Sequence, residues 1–358
     1  MNTPVVKDTY LAQERPQNLY ILLVRFLRGG VLPISIFCLV ATAFASAPKA
    51  QIQSADNRPS SEAIVVTLGT AGGPRPRVDR HQSANLLIVN GTPYLIDAGD
   101  GVVGQINRAG FDFRKIGHIF ITHNHSDHTM GLPALLATQW EFQRRDPVTI
   151  HGPLGTAKLM KGAMAFLAVN SEIRSAEGFP SSLSALVKTN ESEPGVIYRD
   201  DNVTVTAAEN AHYNFPRESA PYGRHKSFAY RFDTAERSIV FSGDTGPSKG
   251  LAKLAHGADI LVTEVSDVDE LMQLYKQNGI WDNKTPEERQ QWLFHQRNEH
   301  MSPAQVAELA ISAGIKTIIL THFPPAGGKD DDFARRVEQV KAAGFDGEVF
   351  AAHDLDRF

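Results

Sequence analysis

The run His123-Asn124-His125-Ser126-Asp127-His128 constrains this chain more than any other stretch in it. Imidazole nitrogens and carboxylate oxygens are the donors that zinc and other borderline divalent ions take. Six residues in a loop cannot aim four such groups at one ion, so the cluster reads as serving two neighbouring ions. Chance accounts for it poorly, because the whole chain has 13 histidines in 358 residues and three fall here beside an aspartate. The preceding residues, 116–122, are a short apolar run of strand type, so the cluster leaves a rigid scaffold on a loop.

Further strand-like segments cover 63–68, 85–89 and 93–97 in the first half, and 203–208, 228–232, 238–241, 260–264 and 317–321 in the second. Helices are predicted over 101–109, closed by Gly110, and over 131–142. The best-signalled helix opens at Ser302-Pro303-Ala304-Gln305, which combines an N-cap, a proline at the first helical position and a capping-box glutamine. Gly314 ends it. Strands first in hairpins and then alternating with helices, in two halves, predict an α/β chain of two packed mixed sheets with helices on the outer faces. Two stretches read as excursions from that plan. Residues 156–190 are small, polar and weakly helical; residues 267–299 are helical and aromatic, either peripheral helices or a lid or homodimer face.

The N-terminal region reads as an export signal. Arg25 and Arg28 precede an apolar run over 31–44, and small residues follow at Ala43, Ala45 and Ala47. The expectation is a signal peptide over 1–45, a flexible mature N-terminus over 46–62 and one catalytic domain over 63–358, located in the periplasm or secreted. Membrane contact is expected only through the signal segment. Cleavage there removes Cys38, the only cysteine, so neither a disulfide nor a thiolate ligand enters the argument. The formal charge of −4 disfavours a general nucleic-acid binder, which neutralises phosphates with clustered Lys and Arg.

Several motifs together resemble a known family. Leu68-Gly69-Thr70, Leu95-Ile96-Asp97-Ala98-Gly99 and the segment from Thr122 to Gly131 are similar to the opening of metallo-β-lactamase-fold hydrolases, especially the branch of ribonuclease Z and the zinc-type arylsulfatases. Glu209-Asn210-Ala211-His212, Phe228-Ala229-Tyr230-Arg231-Phe232, Ser242-Gly243-Asp244-Thr245 and Leu320-Thr321-His322-Phe323 continue the match in the family's order. The resemblance implies the αββα sandwich of that family and two divalent ions, zinc first, with manganese or iron(II) as alternatives. It implies that His123, His125 and His212 hold one ion, that Asp127, His128 and His322 hold the other, and that Asp244 bridges them. Asp97 then orients a ligand histidine from behind.

The same resemblance assigns His300, with Glu264 as its carboxylate partner, to protonating the leaving group. Asp127 can orient the attacking hydroxide while it ligates its metal. Substrate is less constrained. A small sulfate ester, phosphodiester, carboxylic ester or lactone is expected, with arylsulfatase-like activity preferred. Residues 156–190 carry only Lys158, Lys161, Arg174 and Lys188 against two glutamates, which is weak for gripping RNA. A ribonuclease Z-like processing endoribonuclease is the first alternative. A non-enzymatic periplasmic zinc-binding protein is the second, and a structural site would need neither the bridging Asp244 nor a proton donor.

Overall fold

The computed structural model describes residues 63–179, 182–324 and 333–358. The expected signal peptide and flexible N-terminus lie outside the described residues.

The first sheet contains β1 (Ile64–Gly69), β2 (Ala84–Val89), β3 (Thr92–Ile96), β4 (His118–Phe120), β5 (Val148–Gly152) and β6 (Val187–Glu191), side by side in that order. The first three strands pair antiparallel and the rest parallel. The second sheet contains β7 (Gly195–Arg199), β8 (Thr204–Glu209), β9 (Phe228–Asp233), β10 (Ser238–Phe241), β11 (Ile260–Glu264), β12 (Thr317–Thr321) and β13 (Glu348–Ala351), in spatial order 13-12-11-10-9-8-7. Its pairing changes from antiparallel to parallel at β10.

Alternation along the strands divides the apolar residues between faces. Val65, Leu87, Tyr94, Ile96 and Phe120 meet Val205, Tyr230, Phe232, Ile239 and Val262 in a core between the sheets. Their neighbours Val66, Leu86, Leu95 and Ile119 face outward against α1 (Val102–Arg108), α3 (Leu132–Glu141), α4 (Thr156–Phe166) and α6 (Leu183–Leu186), while α2 (Ser126–Thr129) and α5 (Ala168–Ala176) add nothing to that core. The outer face of the second sheet is covered by α7 (Lys249–Ala255), α10 (Pro303–Ala313) and α11 (Ala334–Ala342). Between α7 and α10 the chain runs out through α8 (Val268–Gln277) and α9 (Pro286–Asn298). This is the expected αββα sandwich.

The capping box at Ser302 and Gln305 forms in both directions, and Gly314 closes α10 in the left-handed conformation. The stretch 156–190 is less of an excursion than its composition suggests. It is a helical crossover that delivers β6, the edge strand of the first sheet, parallel to β5.

Candidate metal centre

Every candidate ligand sits just past the C-terminal end of a strand, at one end of the sandwich. His123, His125, Asp127 and His128 follow β4, His212 follows β8, Asp244 follows β10 and His322 follows β12. The parallel run of strands is what brings these ends to one side.

The side chains form two main groups and a third that overlaps both. The first is His123, His125 and His212; the second is Asp127, His128, Asp244 and His322; the third joins His212 and Asp244 to His300. His125 Nδ1 lies 3.1 Å from both His123 Nε2 and His212 Nε2. His322 Nε2 lies 3.3 Å from both His128 Nε2 and Asp127 Oδ2. Asp244 stands between the groups. Its Oδ2 is 3.2 Å from His322 Nε2 and 3.9 and 4.0 Å from His212 and His123 Nε2, and its Oδ1 is 3.4 Å from His128 Nε2. Sequence reasoning thus named seven side chains that the fold brings together.

The opposite ring nitrogens are held from behind. Asp97 Oδ2 accepts from His128 Nδ1 at 2.8 Å, and the same carboxylate accepts from Thr122 Oγ1, which is 3.1 Å from His123 Nδ1. The Glu299 carbonyl lies 3.1 Å from His212 Nδ1. Asp97 and His322 both have positive φ, 59° and 51°, a costly conformation for non-glycine residues that persists where the surroundings enforce it. Gly73 is required for close approach, since a Cβ there would come within 2.2 Å of the Asp127 side chain.

The electrostatics suit cations. Burial, helped by neighbouring histidines, holds the His123 imidazole well below its ordinary pKa. Burial does the same for His212. Both rings are therefore neutral at pH 7 and offer lone pairs, as metal ligation requires. Burial alone would raise the Asp244 pKa, but His322 and His128 outweigh it and keep the carboxylate ionised. Its Oδ1 is buried with no hydrogen-bond partner, a costly state that a bound cation relieves. The donor set therefore fits divalent metal on this chain's own geometry.

Beside the cluster, His300 Nδ1 bonds Glu264 Oε2 at 2.8 Å, and Glu264 Oε1 accepts the Thr245 N–H at 2.8 Å. Burial opposes the charged imidazole, but the Glu264 carboxylate prevails and lifts the His300 pKa to about 9. A cavity of about 430 Å³ opens over these groups, with His125, Asp127, His212, Asp244, His300 and His322 on its floor. Sequence reasoning missed four contributors. Tyr213 packs its ring against His123, His125 and His212. His295 lines the cavity with its ring 5.0 Å from that of His300. Gly72 and Gly73 line it too. Only Tyr213 had a local signal, its adjacency to His212.

Residues 92–323 match the Beta-lactamase superfamily domain. The chain is 31% identical over 298 residues to "Ribonuclease Z" of Mycobacterium sp. (strain KMS), covering 82% of this chain and 95% of that protein. The chain belongs to the metallo-β-lactamase superfamily, in its ribonuclease Z-like branch. Solved structures share the fold. Human tRNase Z, short form, superposes with a TM-score of 0.56 at 23% identity, covering 82% of this chain and 98% of that one. Zn(2+)-bound PqqB from Methylobacterium extorquens gives 0.56 at 16% identity, covering 82% and 99%. This member of the superfamily is a metal-dependent hydrolase, and its His/Asp cluster has the donors to hold divalent metal.

Proposed function

We propose that the chain hydrolyses phosphodiesters, with two zinc ions held by the seven clustered side chains. His123, His125 and His212 would hold one ion and Asp127, His128 and His322 the other, with Asp244 placed to serve both. The observation that carries the reading is the buried His300–Glu264 pair beside the cluster. A site used only to hold metal needs no charged imidazole facing its open side.

Ions bound there supply Lewis acidity at the phosphoryl oxygens and lower the pKa of water towards neutrality. The remaining work belongs to the protein. Glu264 binds Nδ1 of His300, fixes its tautomer and keeps it protonated at pH 7, so that Nε2 gives its proton to the departing oxygen. Asp127 accepts a hydrogen bond from the attacking water and aims it at phosphorus. Asp97 and Thr122 hold the His128 and His123 rings in register.

The relatives' names favour a phosphodiester over the sulfate ester preferred on sequence alone. They also return RNA to the substrates to be tried, although charge had counted against it. A panel of bis(p-nitrophenyl) phosphate, p-nitrophenyl sulfate, p-nitrophenyl acetate and a short RNA, run on the zinc-loaded protein, tests the reading. Phosphodiesters are expected to give the highest kcat/KM. A sulfate or carboxylic ester turned over faster would reverse the assignment.

We also propose export, with the mature chain starting near Ser46, from the order of basic, apolar and small residues before it. N-terminal sequencing of protein from the producing cell checks this. An intact N-terminus in a cytoplasmic fraction is the opposing result.

A further inference from the structure

The cavity over the metal cluster has two unlike sides. Its floor is imidazole and carboxylate, while the opposite side is made by α8, α9 and their connection, through Leu271, Tyr275, Ile280 and Trp292. The Tyr275 and Trp292 rings lie 5.0 Å apart, inclined at 39°. Behind them the buried Trp281 meets Trp292 edge-on at 5.4 Å, and the Arg289 guanidinium covers Trp281 at 5.5 Å. The excursion is also tied to the body of the domain. Leu271 and Leu274 are buried, and Arg336 of α11 pairs with Asp267, the α8 N-cap, at 3.2 Å and with Glu270. The aromatic side is therefore held in place, and little ordering is required when a ligand meets it.

We propose that Tyr275 and Trp292 form a recognition wall for a planar aromatic ring carried on the ester next to its scissile bond. This deepens the phosphodiester reading and rests on it for the ester. A charged ester belongs on the floor of donors and cations. An uncharged planar substituent belongs against the rings, which offer apolar area and a quadrupole for offset or edge-on contact. A nucleobase and a simple aryl group share this chemistry. The wall makes both Tyr275 and Trp292 specificity-determining residues and leaves bond cleavage to the floor.

Methyl p-nitrophenyl phosphate and phenyl p-nitrophenyl phosphate share a leaving group and differ in the substituent retained on phosphorus, which is the ring the wall is proposed to meet. The zinc-loaded protein is expected to prefer the phenyl ester in kcat/KM by ~10-fold or more, as an apolar group in a fitted pocket does. Trp292→Leu and Tyr275→Leu should bring that ratio towards one, and Trp292→Phe, which keeps a ring, should retain most of it. A ratio near one in the unmodified protein, or one unmoved by both leucine variants, overturns the wall. Should neither ester be cleaved, the phosphodiester reading fails, and binding still tests the wall. Phenylphosphonate should quench tryptophan emission and bind more tightly than methylphosphonate, with both differences lost in Trp292→Leu. Equal binding of the two phosphonates overturns it. Uridine 5′-(p-nitrophenyl phosphate) separates the sources. Preference over the phenyl ester supports a nucleobase, the reverse supports an aryl group, and both matching the methyl ester overturns the proposal.

Discussion

Strand β4 is three residues long, and its two ends meet polar clusters of opposite character. At its start, His118 Nδ1 is 3.2 Å from His151 Nε2, and His118 Nε2 is 3.1 Å from the Tyr198 hydroxyl. Tyr198 and Tyr94 both donate to Asp200 Oδ2, and Asn190 donates to His151 Nδ1 at 3.2 Å. One set of protons satisfies the whole chain. Asn190 donates to His151, His151 to His118, His118 to Tyr198, and Tyr198 to Asp200. Both imidazoles are neutral in that arrangement, and burial keeps the His151 pKa down at about 4. At the other end of the strand no such set exists. His125 Nδ1 faces two imidazole nitrogens at 3.1 Å, and Asp244 Oδ1 has no hydrogen bond at all. A count of histidines does not separate the two regions. Closure of the donors and acceptors does, because an unclosed buried network is costly until a cation completes it.

The comparison breaks most visibly at Asp244. Asp244→Ala should lose at least one metal ion and nearly all turnover, more than the ~10–100-fold cost of removing an outer partner of a ligand. Elemental analysis with kinetics measures both, and a variant with two ions and full turnover would reassign the bridge. Next in size is His300→Ala, expected to keep its metal while kcat falls ~10²–10⁴-fold, the usual contribution of a general acid. The loss should shrink for nitrophenolate leaving groups, which depart without a proton, and Glu264→Gln should give a milder form of the same pattern. Metal loss in the His300 variant would move that residue into the ligand set.

Asp97→Asn should weaken metal affinity ~10–100-fold, read by competition with a chelator. Asp200→Asn, the corresponding change in the closed network, should lower the melting temperature and leave metal affinity alone. A metal effect at Asp200 would show that the two ends of β4 are coupled.

The smallest expected effect is a pH dependence of the closed network. The folded His151 pKa of about 4 lies below its unfolded value of about 6.5, so the unfolded chain takes up the proton first. Stability from this group is intact above pH 6.5 and lost as pH falls from there towards 4, by roughly 1–2 kcal/mol at pH 5. His151→Gln should flatten that part of the stability profile, and the slope between pH 7 and 5 in urea unfolding is the quantity to compare. An unchanged slope would show that His151 does not carry it.

What the sequence alone determined was local. The short apolar runs at 85–89 and 93–97 with turn residues between them, the Ser302/Gln305 capping box, the Gly314 stop and the His123–His128 run each depend on a few adjacent residues, so each could be read before any fold was known. His212, Asp244, His300 and His322 came instead from the order of family motifs, since nothing in their own neighbourhoods joins them. The structure alone decided β5, β6, β7 and β13. The last three are edge strands, paired on one side and largely open to water on a face, so their sequences carry little apolar alternation. Strand β5 is interior, but its five residues hold only two large apolar side chains, Val148 and Ile150, too short a pattern to read alone. It also decided that His118 and His151 complete each other while His123 and His125 do not, and that the helices of 267–299 wall the cavity. Those outcomes turn on which distant side chains the sheets bring within 3–5 Å, and hydrogen-bond closure is a property of that assembled set and of no segment within it.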